Sequence, residues 1–165
     1  MAGATADGSS AGVPVATAAP GRTPGSPPPI ERDLTAWKAF LREQEHLCEE
    51  HRFPAAMMSV GVDRASDLDA VIAVLGTVLR STDHAGVLCD TELAVVLVPL
   101  DSIHQAQRQV HVIDGALRAA KLEPHIGWAM RLDNHGLFHA AARADAAMLS
   151  ARGHGKPPVV DLSER

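Results

Sequence analysis

The sequence predicts an α+β domain in which helices pack on an antiparallel β-sheet. One observation is the order of the patterns: short apolar runs of strand length alternate with longer segments whose apolar residues recur every three or four positions. Another is the length, because 165 residues suit a single hydrophobic core. The third is composition, since apolar residues make up 46% of the chain, as is typical of globular proteins.

The chain divides into two parts. Residues 1–29 consist mainly of Ala, Gly, Pro, Ser and Thr, and they cannot bury enough apolar surface to offset the entropy lost on ordering. We therefore interpret residues 1–29 as a disordered tail and residues 30–165 as the folded domain. This domain begins with an amphipathic helix at about 34–51, which Phe53-Pro54 ends.

The next elements form the first half of the predicted sheet. Residues 55–62 are short, apolar and uninterrupted, as in a central strand. Asp67 is predicted to cap the following helix, which ends at Arg80. A β-hairpin follows, with strands at 85–88 and 93–98 on either side of a polar turn.

The remaining pattern predicts a helix at 102–120, a strand at 125–130, a helix at 136–151 and an edge strand at 157–160. Without the leading helix and the last two elements, the order is strand, helix, strand, strand, helix, strand. This order is the ferredoxin-like β-α-β-β-α-β unit, an antiparallel sheet covered by helices on one face.

Composition excludes several classes of partner. The net charge is −5 and only 3% of residues are aromatic, so neither a positive field nor stacking platforms are available for nucleic acid. Cys48 and Cys89 form neither a disulfide framework nor a metal motif, which fits a reducing cytoplasm. No apolar run approaches the roughly 20 residues that span a bilayer. We expect a cytoplasmic protein with no nucleic-acid or membrane partner.

Several motifs resemble those of the GGDEF domain of diguanylate cyclases, in the family's order and spacing. Arg80-x-x-Asp83 lies ahead of Cys89-Asp90-Thr91-Glu92-Leu93, which stands where the family has its Gly-Gly-Asp/Glu-Glu-Phe turn. The other matches are Asp33-Leu-Thr35, Ile126-Gly127-Trp128-Ala129 and the closing segment Ala144-Asp145-Ala146-Ala147-Met148 with Ala151-Arg152. The resemblance covers most of residues 30–156. It implies the palm fold that GGDEF domains share with nucleotidyl cyclases.

The resemblance also implies a degenerate domain that is not an enzyme. In the family, an aspartate on the first strand and the acidic third residue of the turn hold two magnesium ions, and Gly61 and Thr91 stand at these places. Cys89 and Asp90 replace the glycines whose backbone approaches phosphate. The guanine-reading segment expected after Asp63 is largely missing. We therefore expect no catalytic residues, no metal, no cofactor and no diguanylate cyclase activity.

Arg80 and Asp83 retain the pattern of the family's inhibitory site, which binds cyclic di-GMP. A guanidinium suits phosphate or the guanine Hoogsteen edge, and a carboxylate accepts hydrogen bonds from guanine N1 and N2. Arg108 and Arg118 are candidates for a second contact. The implied function is a cyclic di-GMP receptor that modulates a partner protein. A structural interpretation stays open, in which Arg80 only ends a helix and Asp83 caps a loop.

Other hypotheses belong to different classes. One is a nucleotide-independent module for protein–protein interaction or homodimerisation through the sheet or the leading helix, with Trp37 and Phe40 as anchors. Another, disfavoured by the lost metal ligands, is an active cyclase. His135 and His139 lie four residues apart, but no nearby carboxylate or cysteine completes a metal site, so we interpret them as ordinary histidines.

Overall fold

The computed structural model describes residues 30–154 and 159–161; the predicted disordered tail, residues 1–29, lies outside this part. No helix within the described residues is long and apolar enough to cross a membrane. The elements of this part are, in chain order, β1 (Ile30–Glu31), α1 (Leu34–His51), β2 (Ala56–Gly61), α2 (Ala65–Val78), β3 (His84–Cys89), β4 (Glu92–Leu97), α3 (Ile103–Ala119), β5 (His125–Met130), α4 (Gly136–His154) and β6 (Val159–Asp161).

The strands of the described part form one mixed sheet in the order β1-β3-β4-β2-β5-β6. The central pairs β3–β4, β4–β2 and β2–β5 are antiparallel, whereas β1 pairs parallel with β3 and β6 pairs parallel with β5. These central strands, with α2 and α3, confirm the predicted β-α-β-β-α-β unit. β6 overlaps the predicted edge strand at 157–160, of which residues 157 and 158 lie outside the described part. β1 spans two residues, too few for a sequence pattern.

Helices cover both faces of the sheet. The predicted packing of the unit's helices, α2 and α3, on one face is confirmed, and α1 and α4, which lie outside that unit, pack on the other face. The six residues of β2 are all buried. Met58 and Val60 pack with α2 and α3, whereas Met57 packs with α1 and α4. A strand buried on both faces requires a layer of helices on each side.

The N-terminal caps of the helices correct one expectation. Side-chain oxygens of Asp33 and Ser102 cap α1 and α3. The predicted cap of α2 at Asp67 is wrong, because this helix begins at Ala65 and Arg64 occupies the cap position, where its side chain makes no capping hydrogen bond. Asp67 lies in the first turn, where its negative charge still interacts favourably with the positive end of the helix dipole.

The leading helix α1 packs on its own domain. Trp37 and Leu41 are buried against the sheet, with exposed fractions of 2% and 3%. Trp37 lies over Gly86 of β3, where any Cβ would overlap the indole ring. Phe40 stacks on Trp37, with ring centroids 5.7 Å apart. The two anchors considered for a partner protein therefore contact each other and this domain.

Candidate functional site

Arg80 and Asp83 form an ion pair between the end of α2 and the start of β3. Asp83 is fully buried, whereas the Arg80 side chain is 29% exposed. Asp83 Oδ1 accepts a hydrogen bond from Arg80 Nη2 at 2.6 Å, and Oδ2 accepts the backbone N–H of Arg80 at 3.0 Å. Asp83 Oδ1 also accepts the N–H of Val98 at 3.3 Å, while Arg80 Nη1 donates to the Pro99 carbonyl at 3.2 Å. The pair thus ties the end of α2 to the end of β4.

The two members of this pair differ in what they can offer a ligand. Both oxygens of Asp83 accept hydrogen bonds inside the protein, and the residue is inaccessible to solvent. Arg80 directs Nε and one hydrogen of each Nη to Asp83 and Pro99, so that one hydrogen on each Nη has no acceptor among the described residues. The geometry therefore favours Arg80 as the group that a ligand can reach and Asp83 as the group that holds it.

Arg108 and Arg118, the candidates for a second contact, both lie on α3. Arg118 is engaged with Asp114 one turn earlier, with Nε and Oδ2 2.9 Å apart. Arg108 is exposed and lines a shallow surface groove together with His104 and His111. Within the described residues, neither arginine is a hydrogen-bond partner of the Arg-x-x-Asp pair. Arg108 is thus the more available of the two.

The turn segment 89–93 joins β3 to β4. Cys89 and Asp90 are exposed at its tip, whereas Leu93 is buried in the core. The Thr91 carbonyl accepts the N–H of Val62 at 2.9 Å. This bond attaches the turn to the end of β2.

Arg152 of α4 lies over the end of β2 and the start of β4. Its Nε is 3.3 Å from Asp63 Oδ1, its Nη1 is 3.6 Å from Glu92 Oε1, and its Nη2 donates to the Val62 carbonyl. His125 Nε2 lies 3.1 Å from the same oxygen of Asp63. The hydrogen bond with His125, followed by that with Arg152, lowers the pKa of Asp63 from its usual value. The sequence motif places Arg152 on the last helix but gives no sign of these contacts.

Gly61 lies at the centre of this group. It pairs in register with Glu92 on one side and with His125 on the other. A Cβ at this position would lie 2.7 Å from the sulfur of Met148 on α4. In the described residues, no three His, Cys, Asp or Glu side chains form a group that could hold a metal ion. The residues do not fit the magnesium ions that members of the resembled family hold, because Arg152 lies against the two nearby carboxylates.

His135 and His139, the histidine pair near the start of α4, are both exposed. Their ring centroids are 4.5 Å apart in an edge-to-face arrangement. This contact is a ring interaction at the surface.

A second ion pair, which the sequence pattern does not reveal, joins α1 to the segment before α4. Arg131 Nη2 lies 2.6 Å from Glu45 Oε1, and their side chains are 4% and 18% exposed. Glu45 Oε2 also accepts the N–H of Leu137 at 2.5 Å. Burial works to raise the pKa of Glu45, but the hydrogen bonds from Arg131 and Leu137 and the charge of Arg131 together hold this pKa below its usual value.

Comparison with known proteins identifies the fold. No protein-family model and no curated protein matches the sequence. The GGDEF domain of DgcB from Caulobacter crescentus, solved in complex with c-di-GMP, matches with a TM-score of 0.66 and 16% identity over 85% of this chain and 97% of that one. The active GGEEF domain of a Vibrio cholerae diguanylate cyclase matches with a TM-score of 0.65 and 14% identity over 83% and 99%. Diguanylate cyclase SiaD from Pseudomonas aeruginosa, solved with its activator SiaC, matches with a TM-score of 0.64 and 18% identity over 79% and 61%. The chain has the fold of these domains.

Proposed function

We propose that this chain, whose fold is that of a GGDEF domain, is a receptor for cyclic di-GMP without cyclase activity. The observation that carries the proposal is the Arg80 guanidinium, which the buried Asp83 holds at a partly exposed position. Among the described residues, one hydrogen on each of its Nη atoms has no acceptor. Such a fixed planar group suits a phosphate or the Hoogsteen edge of guanine. The similar DgcB domain was solved with c-di-GMP bound.

The proposed loss of catalysis depends on charge at the turn. Magnesium requires oxygen ligands, which proteins usually supply as carboxylates. Neither Gly61 nor Thr91 has a carboxylate. The carboxylates of Asp63 and Glu92 are already in contact with a guanidinium. Asp90 adds an exposed negative charge at the turn, which would repel a triphosphate.

The proposed output is altered contact with a partner protein. Arg80 is hydrogen-bonded both to Asp83 and to the Pro99 carbonyl just after β4. A ligand that binds the spare Nη hydrogens while Asp83 keeps its own bonds, and that moves Nη1 away from the Pro99 carbonyl, weakens the link between the end of α2 and the segment that leads into α3. Diguanylate cyclase SiaD was solved in complex with its protein activator SiaC, which supports a protein partner for a domain of this fold.

Calorimetry with cyclic di-GMP tests the receptor proposal. Wild type should bind, and Arg80→Ala should weaken binding by about tenfold or more because the planar donor pair is lost. Arg80→Lys should weaken it similarly, since a point charge cannot replace the fork. Arg64→Ala is the matched control, because Arg64 is an exposed arginine that contacts Asp67. No binding by wild type removes the proposal, and unchanged binding by Arg80→Ala removes Arg80 as the site.

Incubation with GTP and Mg²⁺ tests the catalytic part separately. We expect no cyclic di-GMP to form at any protein concentration at which the sample is monodisperse. Product formation that depends on this chain would overturn the proposed loss of activity, whatever the calorimetry gives.

A nucleotide-independent interaction module is the second candidate. It is favoured by two large apolar side chains on α4, Phe138 and Leu149, which are 43% and 49% exposed. The leading helix considered for this role buries Trp37 in its own domain, and both sheet faces are covered. If wild type binds no nucleotide but self-associates, and Phe138→Ser abolishes the association, this candidate replaces the first.

A further inference from the structure

We infer that Arg152 is a built-in cation that takes the place of a divalent metal at the turn end of the sheet. The inference deepens the proposed loss of catalysis, which rests on the same carboxylates, and it does not involve the Arg80 ligand site. It concerns the charge balance among the end of β2, the start of β4 and the end of α4.

The guanidinium of Arg152 has a separate acceptor for each nitrogen. Nε lies 3.3 Å from Asp63, Nη1 lies 3.6 Å from Glu92, and Nη2 donates to the Val62 carbonyl. The Arg152 side chain is 30% exposed, whereas that of Glu92 is 26% exposed. One side chain therefore bridges two carboxylates and a main-chain oxygen, which are the ligand types that a hard divalent cation takes.

The neighbouring residues provide the space for this arrangement. Gly61 lies between Glu92 and His125 in the ladder and presents no side chain of its own. On α4, Met148 lies one turn before Arg152 and packs against Gly61. The helix is thereby held close to the end of β2, where the long arginine side chain reaches both carboxylates.

The same position excludes a metal ion. A divalent cation binds oxygen at about 2.0–2.6 Å, inside the region where the guanidinium nitrogens now lie. Its charge would also be repelled by the fixed positive charge of Arg152 at short range. Removing the guanidinium would leave Asp63, Glu92 and the Val62 carbonyl without their shared cation. Carboxylate and carbonyl oxygens are ligand types that suit Mn²⁺.

Titration with Mn²⁺, followed by the electron paramagnetic resonance signal of the free ion, tests the inference on the full chain. Wild type, Arg152→Lys and the control Arg64→Ala should not bind at millimolar Mn²⁺. Arg152→Ala should bind with a Kd about tenfold or more below the highest Mn²⁺ concentration at which wild type shows no binding, and adding Glu92→Gln should abolish that binding. Binding by wild type that Glu92→Gln removes would overturn the inference, as would equal behaviour of wild type and Arg152→Ala.

Thermal unfolding provides a second readout if Arg152→Ala is only partly folded. Mn²⁺ should raise the melting temperature of Arg152→Ala but not that of wild type or of the Arg152→Ala/Glu92→Gln double variant. An Mn²⁺-dependent rise in wild type, or no rise in Arg152→Ala, contradicts the assignment of Arg152 as the resident cation.

Discussion

Removing one partner of the Glu45–Arg131 ion pair should strongly destabilise this domain. Removing one partner of a buried ion pair costs about 3–5 kcal/mol, because the other charge is left buried and unpaired. For Glu45→Ala we expect a loss of about 3 kcal/mol, at the lower end of that range, because Asp133 and Glu49 remain near Arg131. Their distances from it are 3.3 and 4.0 Å, but their side chains are 99% and 62% exposed and compensate only weakly.

Urea unfolding followed by far-ultraviolet circular dichroism measures this loss. In thermal unfolding, a loss of about 3 kcal/mol should lower the melting temperature of a domain of this size by about 6–12 °C. Glu45→Gln should lose less than Glu45→Ala, because the amide oxygen still accepts the Leu137 N–H. Asp133→Ala is the control and should stay within about 0.5 kcal/mol of wild type.

A loss below about 1 kcal/mol in Glu45→Ala would refute the reasoning, because it would mean that Arg131 finds water or another acceptor at no cost. The double variant Glu45→Ala/Arg131→Met provides a further check. If the damage comes from an unpaired charge, the double variant should be more stable than Glu45→Ala alone.

Three further predictions concern acid sensitivity, close packing and thiols. Folding lowers the pKa of Glu45, so the stability that its ionised form contributes is fully present above the usual pKa of 4.5 and is lost as pH falls through the lower pKa of the folded state. Below pH 4.5 the unfolding free energy of wild type should therefore fall more steeply than that of Glu45→Gln. Parallel pH curves would contradict this. Gly127→Ala places a Cβ against the backbone of α4 and should destabilise the domain by about 1–3 kcal/mol. Gly115→Ala, where a Cβ meets open space on α3, should be neutral or slightly stabilising. Equal urea midpoints of the two variants would be evidence against this packing. Cys48 is buried, which raises the pKa of its thiol to about 11, whereas Cys89 is exposed. A thiol reagent at neutral pH should therefore modify Cys89 quickly and Cys48 only on unfolding. Comparable modification rates would contradict the burial of Cys48.

The sequence was sufficient for the central architecture because each element carries its own local pattern. The run 55–62 reads as a buried strand, and β2 indeed lies between two neighbours with every residue covered. Leu68, Val71 and Leu75 share one helical face and pack in the core as that spacing predicts. The cap of α2 was misplaced because Asp67 is a good capping residue in isolation, whereas the helix starts two residues earlier.

The contacts between distant residues could not be predicted in the same way. Glu45 and Arg131 are 86 positions apart, and nothing in either segment indicates the other. The Arg-x-x-Asp spacing predicted a shared site, and the two residues do meet, yet only the structure reveals that Asp83 is fully buried against Val98. Burial of a polar side chain depends on what the rest of the chain places over it, which a local pattern does not contain.

The two short outer strands protect the sheet from association at its edges. β1 covers Ala85 and Gly86 of β3, and β6 covers residues 126–128 of β5. The longer strands consequently present few unpaired backbone groups, and strands of two and three residues are poor templates for a strand from another molecule. Edge-to-edge growth at the described strands should therefore require local fraying first, which leaves the helix surfaces as the better contacts between copies of this domain.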